Sequence, residues 1–376
     1  MAKSKKNLKI LELTNFTAGG CGVGKRVLRE SEILSKRGHN VQVFSSNFIK
    51  GKNETCPLED KISGVKIKRF PAKNLGGESF MSWQFEKEAI KFSPDVIIAH
   101  AYRHLHTTRA LKIAKRLNAK CFLVTHAPFD RASSRNVGEN FIVKIYDRLI
   151  GKPSLKKFDK VIIISNWEMP YLKKLGVDKE NIFYIPNGIE DSFFSKQSKK
   201  FNNHIIYTGR VSPIKNLEIA LRSLSELDTP FKFTIFGPAD SLYLAKLKKI
   251  IELSGIANNV ILKNRTYSHS EQIKELDNST FFILPSLSEG MPQSLIEAMA
   301  RGKIVIASNN KGNSDIISDG KNGFLFKNRD KEDLIIKLTN IISLPKSKLQ
   351  KIQKEAIKTA EKYKWGELID KLESLF

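Results

Sequence analysis

LPSLSEGMPQSLIEAMARG, residues 284–302, reads as the end of a buried strand, a loop and a helix. The run TFFILPS (280–286) is almost wholly apolar, as strands are when both faces are covered. Glu289-Gly290-Met291-Pro292 cannot continue it, and Pro292 stands just before a helix beginning near Gln293, where a missing N–H costs nothing. The helical spacing of SLIEAMAR closes on Gly302, and KIVIAS (303–308) opens a second buried strand. A strand, a crossover helix and a second strand make the βαβ unit of a parallel sheet.

The same alternation runs outward in both directions. Strands are expected at LKILEL (8–13), NVQVFS (40–45), VKIKRF (65–70), DVIIAHA (95–101), KCFLVTH (120–126), KVIIIS (160–165) and IFYIPN (182–187). A second set falls at HIIYTG (204–209), FKFTIFG (231–237), NVILKN (259–264), TFFILPS, KIVIAS and GFLFK (323–327). The aperiodic, polar-ended segment 187–203 separates the sets. A chain of 376 residues also exceeds what one core usually serves. The expected fold class is α/β, with two doubly wound Rossmann-like domains facing across a cleft at the carboxyl ends of their strands.

Charge is the unusual bulk property: 64 Lys and Arg against 39 Asp and Glu leave +25. Residues 1–187 carry 35 basic and 17 acidic side chains, net +18; residues 188–376 carry 29 and 22, net +7. Either the composition is simply Lys-rich, or the first half meets an anion: phosphates, an acidic membrane surface or nucleic acid. Cys21, Cys56 and Cys121 are too scattered for a disulfide framework or a zinc site. No apolar run is long enough for a spanning helix or a signal peptide, so the expected location is cytoplasmic.

Candidate chemistry gathers at strand ends. The uncapped N–H groups of Gln293 and Ser294 suit an anion such as a diphosphate. Glu289 and Glu297 flank them, eight positions apart, able to accept hydrogen bonds from hydroxyls. In TGRVSPIKNLEIAL (208–221), Arg210 and Lys215 follow Gly209 and give two cations for a departing anion. TAGGCGVGKR (17–26) is a glycine-rich turn containing the core of a Walker A loop, but Arg26 stands where a magnesium-holding Ser or Thr is needed. His126 ends a strand in VTHAPFD. In NFIVKIYDRLIGKPSLKKFDK (140–160), Phe141, Ile142, Ile145 and Leu149 share one helical face, which reads either as core-facing or as a basic surface for anionic lipid.

These segments together resemble the retaining glycosyltransferases of family 4, also called group 1, with the GT-B fold. Residues 289–297 resemble that family's E-x7-E signature, 208–221 its Gly-Arg and Lys turn, and 161–194 the run into its interdomain hinge. Two departures stand out: Asn216 replaces the glycine usual after the lysine, and Glu190 replaces an aspartate. The resemblance implies an acceptor-binding domain at 1–187, a nucleotide-sugar domain at 188–357, and a last helix, 358–376, that crosses back to the first domain. It implies transfer of a hexose from a nucleoside-diphosphate sugar, UDP- or GDP-linked, to a glycan, lipid-linked or small-molecule acceptor, with no cofactor and no metal. Arg210, Lys215, Gln293 and Ser294 would hold the diphosphate, with Gly209, Gly290, Met291 and Pro292 shaping that site. Glu289 would hold the sugar, Glu297 the ribose, His126 the sugar or developing charge, and Gly20 or Gly22 would approach the phosphate. The competing readings are an epimerase or phosphorylase of the same fold, or a basic nucleic-acid-binding protein; no nucleic-acid module of the usual kinds supports the last.

Overall fold

A computed structural model describes residues 7–129, 137–195 and 201–376. The chain divides into two compact units, Met1–Asn187 with Gly366–Phe376, and Gly188–Trp365.

In the first unit the strands are β1 (Lys9–Leu13), β2 (Asn40–Ser46), β3 (Glu59–Ile62), β4 (Val65–Phe70), β5 (Ala72–Asn74), β6 (Met81–Trp83), β7 (Val96–His100), β8 (Lys120–Val124), β9 (Lys160–Ile163) and β10 (Ile182–Tyr184). Eight form one sheet in the order β10-β9-β8-β7-β1-β2-β4-β3, while β5 and β6 make a separate ribbon. All pairs in the large sheet are parallel except β3 with β4. The second unit holds β11 (His204–Thr208), β12 (Lys232–Phe236), β13 (Val260–Lys263), β14 (Phe281–Leu284), β15 (Ile304–Ser308) and β16 (Phe324–Phe326), all parallel, in the order β13-β12-β11-β14-β15-β16. Both units are Rossmann-like. Val, Ile, Leu and Phe dominate the central strands, because helices cover both faces and leave few positions for a polar side chain, Glu12 on β1 and His100 on β7 among them.

Each sheet reverses its winding at one point: between β1 and β7 in the first unit, and between β11 and β14 in the second. Loops leaving those carboxyl ends diverge to opposite faces and open a crevice, the usual ligand position in such sheets.

All thirteen expected strands are present, within a few residues at each end. The returning C-terminal segment is shorter than expected. Residues 358–361 finish a helix of the second unit, Lys346–Glu361, and the chain rejoins the first unit at Gly366. There Leu368, Ile369 and Leu372 are buried, and Arg37 pairs with Asp370 and Glu373. Within the second unit, Ile189 N–H donates to Tyr363 O at 2.9 Å, so the two chain crossings lie side by side.

Among the described residues, no helix is long and apolar enough to cross a membrane. The helix Val137–Tyr146 and its continuation do not face the core: Phe141, Ile142, Ile145 and Leu149 are 64, 57, 43 and 67% exposed.

Candidate active site

At the crevice of the second unit, β11 ends on Thr208 and the chain turns through Gly209, with φ of +139°. The Arg210 carbonyl accepts from the buried Tyr207 hydroxyl at 2.7 Å, which fixes the backbone and leaves this residue exposed. Val211 exchanges hydrogen bonds with the loop after β12, accepting from Asp240 N–H at 3.0 Å and donating to Pro238 O at 2.9 Å. A single tight turn, Pro213–Lys215, then presents Lys215. Asn216 follows with φ of +50°, the left-handed region where the family has glycine. Asparagine is among the few other residues that enter it readily, so the substitution keeps the turn.

The second wall is the loop after β14. Leu287 N–H donates to Ile214 O at 2.9 Å, Asn328 Nδ2 donates to Leu287 O at 2.9 Å, and Asn310 Nδ2 donates to Ser286 O at 2.9 Å. Gly312 is pressed against this loop: a Cβ there would lie 2.4 Å from Glu289 O. Glu289 is thereby held by its main chain, and its Oε1 meets Lys215 Nζ at 2.6 Å. The two side chains are 10% and 20% exposed, so the pair is open on one side and shielded on the other. An ion pair this poorly solvated is stronger than a surface one, and it leaves an ammonium poised for a second anion.

Pro292 caps the helix Gln293–Ala300 without a side-chain hydrogen bond, so its N-terminal positive end faces the same loop. Gly290, Met291, Gln293 and Ser294 are half-buried around it. Glu297 sits one turn in and is not simply solvated. Its Oε2 accepts from Gln272 Nε2 at 2.6 Å, and Gln272 also donates to Thr208 Oγ1 at 3.2 Å. Tyr267 closes this cluster, its hydroxyl pKa pushed up by burial and by the Glu297 charge.

In the first unit, His126 lines a cavity of about 150 Å³ with Thr14, Asn15, Cys21, Tyr102 and His104. His126 and Ala127 have φ of +60° and +54°, two successive left-handed residues that are not glycine. Such strain persists where the surroundings enforce it. Glu168 does so here: Oε2 accepts from Thr125 Oγ1 at 2.6 Å and Ala127 N–H at 3.0 Å, straddling His126. Its other oxygen accepts from Ile164 and Ser165 N–H. Burial draws the Glu168 pKa up to about 7, against the pull of these four donors. Gly20 and Gly22 are exposed on the neighbouring turn, with open space where a side chain would start. Arg26, at the end of the Walker-like string, is buried and pairs with Glu30 at 3.1 Å.

Residues 20–193 match the family described as Glycosyltransferase Family 4, and residues 188–360 the one described as Glycosyl transferases group 1. The chain belongs to this glycosyltransferase family. An uncharacterized glycosyltransferase of Methanocaldococcus jannaschii is 25% identical over 90% of both chains. The poly(ribitol-phosphate) alpha-N-acetylglucosaminyltransferase of Staphylococcus aureus is 28% identical over 67% of this chain and 48% of its own. Among solved structures, HepE of Anabaena in complex with UDP superposes with a TM-score of 0.77 at 16% identity, over 98% of this chain and 99% of that one. That likeness establishes the GT-B fold.

The glycosyltransferase places Gly209, Arg210 and Lys215 on one wall of the second-unit crevice and Glu289 to Glu297 on the other. His126, Gly20 and Gly22 gather at the crevice of the first unit. Gln272, Tyr267, Gly237 and Gly312 escaped the sequence reading. Gln272 and Tyr267 flank the start of an ordinary surface-patterned helix, and nothing in their spacing points at Glu297. The two glycines belong to tight approaches between segments far apart in the chain.

Proposed function

We propose that this glycosyltransferase moves a hexose from a nucleoside-diphosphate sugar, UDP- or GDP-linked, with retention of anomeric configuration. The observation that carries the reading is the Lys215–Glu289 pair beside the free N-terminus of the helix Gln293–Ala300. As the glycosidic bond breaks, the diphosphate gains charge. Lys215, Arg210 and the N–H groups of Gln293 and Ser294 offset it in a low-dielectric crevice, without a metal ion. Glu289 accepts hydrogen bonds from the sugar and Glu297 from the ribose, while His126, uncharged because burial holds its pKa well down, offers a neutral ring to the sugar. The UDP in the HepE complex and the polymer in the name of the Staphylococcus relative support a nucleotide donor and a polymeric acceptor.

A thermal-shift screen of UDP, GDP, ADP and their hexose conjugates tests the donor. One nucleotide series should raise Tm by several degrees, since a ligand at a hundred times its Kd adds about 2.7 kcal/mol to native stability. No shift with any of them contradicts the proposal.

The same reading places the enzyme in the cytoplasm, resting on an anionic membrane. Exposed Phe141, Ile142, Ile145 and Leu149 adjoin exposed Lys144, Arg148, Lys152, Lys156 and Lys157, while the acid among them, Asp147, is tied to Arg103 at 2.7 Å. Apolar side chains rimmed by cations suit the headgroup boundary of an anionic bilayer. Sedimentation with vesicles containing phosphatidylglycerol should capture the protein. Phe141→Ser with Leu149→Ser should weaken capture at least tenfold, and so should zwitterionic vesicles. Equal capture in all cases contradicts membrane docking.

A further inference from the structure

Behind His126 runs a line of buried ionisable groups. Arg26 Nη2 lies 3.1 Å from Glu30 Oε2 on the helix Gly22–Lys36. The Glu30 carboxyl hydrogen-bonds that of Glu12 on β1. Glu12 Oε2 is 2.6 Å from His100 Nε2 at the end of β7, and His100 Nδ1 is 3.0 Å from His126 Nε2. Glu12, Glu30 and His100 are fully buried, and Arg26 nearly so.

Charge and proton counting orient this chain. Two carboxyl groups in mutual contact need one proton between them, which leaves one negative charge, and Arg26 balances it. Burial raises both carboxyl pKa values above the usual range, in keeping with a retained proton. Glu30 lies against the Arg26 guanidinium and is the carboxylate, because the adjacent cation favours its charged form. Glu12 keeps the proton and donates it to Glu30, while its other oxygen, Oε2, accepts from His100 Nε2–H. His100 Nδ1 is then bare and accepts Nε2–H from His126. The remaining ring nitrogen of His126, Nδ1, carries a lone pair. The other titratable groups around the chain, His104 and His106, are held neutral by burial, as are His100 and His126.

The same three side chains, Glu12, Glu30 and His100, bring possible ligand atoms within 4.8 Å of one another. Arg26 already supplies the positive charge a cation would bring, and hydrogen bonds already link the three in sequence. A proton network describes them better than a metal centre.

We propose that Glu12 and His100 are positioning residues that lock His126 in its Nε2–H tautomer, so that the ring offers Nδ1 as an acceptor to a hydroxyl of the substrate. The lock stands on the geometry of the first unit; its use on the sugar rests on the function proposed above. No covalent step is involved.

The test begins with the unmodified protein, labelled with ¹⁵N-histidine and observed by two-bond ¹H–¹⁵N correlation at pH 7. His126→Gln and His100→Gln assign the signals. The expected pattern is a neutral His126 ring with its proton on Nε2. A ring protonated on Nδ1, or a cationic ring, overturns the lock. Kinetics then tests its use. Glu12→Leu should lower kcat at least tenfold with KM for the donor unchanged. Glu12→Gln should restore most of kcat, because its amide can donate to Glu30 and accept from His100 as the protonated carboxyl does. If Glu12→Leu proves unstable, the tautomer measurement still decides. The expected tautomer together with full kcat in Glu12→Leu contradicts the role of His126 at the sugar and leaves the lock intact, so the two failures are distinguishable.

Discussion

Lys215→Ala should reduce kcat/KM for sugar transfer by about 10²- to 10³-fold, the usual loss when one preorganised donor to a developing oxyanion is removed. Lys215 is placed by a tight turn, by the Ile214 carbonyl that accepts from Leu287, and by Glu289 Oε1 at 2.6 Å. The turn and the Ile214–Leu287 hydrogen bond do not depend on the ammonium, so the fold should persist, with a lowered melting temperature from leaving Glu289 without its partner. The effect should fall mainly on kcat, because the charge it offsets appears as the leaving diphosphate separates. Lys215→Arg keeps the charge and should recover part of the rate. Initial-rate kinetics with the donor selected by the thermal screen, beside circular dichroism of both variants, provides the check. Unchanged kcat/KM in Lys215→Ala removes this residue from the chemistry.

Gly237→Ala should be the most damaging single-methyl change in the second unit. A Cβ at Gly237 would lie 1.9 Å from Gly209 O, and the residue has φ of +152°. Neither partner is free to move. Gly209 N–H donates to Phe236 O and Gly237 N–H to Lys263 O, each at 3.1 Å, and Gly209 leads directly into Arg210. Overpacking and left-handed strain each cost about 1–3 kcal/mol, so a loss of roughly 3 kcal/mol or more is expected. In a unit of this size that is a fall of roughly 6–12 °C in Tm, and nucleotide binding should weaken with it. Gly255→Ala is the control. It also has positive φ, +66°, but no atom lies within 4 Å of the added Cβ, so it should cost only about 1 kcal/mol. Equal losses for the two variants would show that the contact with Gly209 is unimportant.

The doubly wound fold was legible because a strand covered on both faces has few polar positions, and such runs recur along this chain. The strand β3, EDKI, was not legible: it is an exposed antiparallel edge with no apolar face to mark it. β5 and β6 are three residues each, too short for any period to register. The elements of the proposed donor site could be read because Gly, Pro and a helix start fall in fixed order around Glu289. Their pairing could not, since Lys215 and Glu289 are 74 positions apart. Asn216 departs from the family's glycine, and its left-handed backbone, with φ of +50°, explains why the turn survives. His100 carried no sequence signal beyond its place at a strand end. Its meaning depends on Glu12, 88 positions away in the chain yet one strand over in the sheet. The helix face at Phe141 was undecidable from spacing, because a core-facing stripe and a membrane-facing stripe have the same period.

Hydrogen–deuterium exchange of the intact protein, with and without saturating UDP, tests the donor site most directly, with GDP substituted if the thermal screen selects it. The expected result is protection of the amides at 209–215 and 289–294, abolished in Lys215→Ala at the same nucleotide concentration. Saturable binding with no change in either segment would contradict the site proposed for the donor.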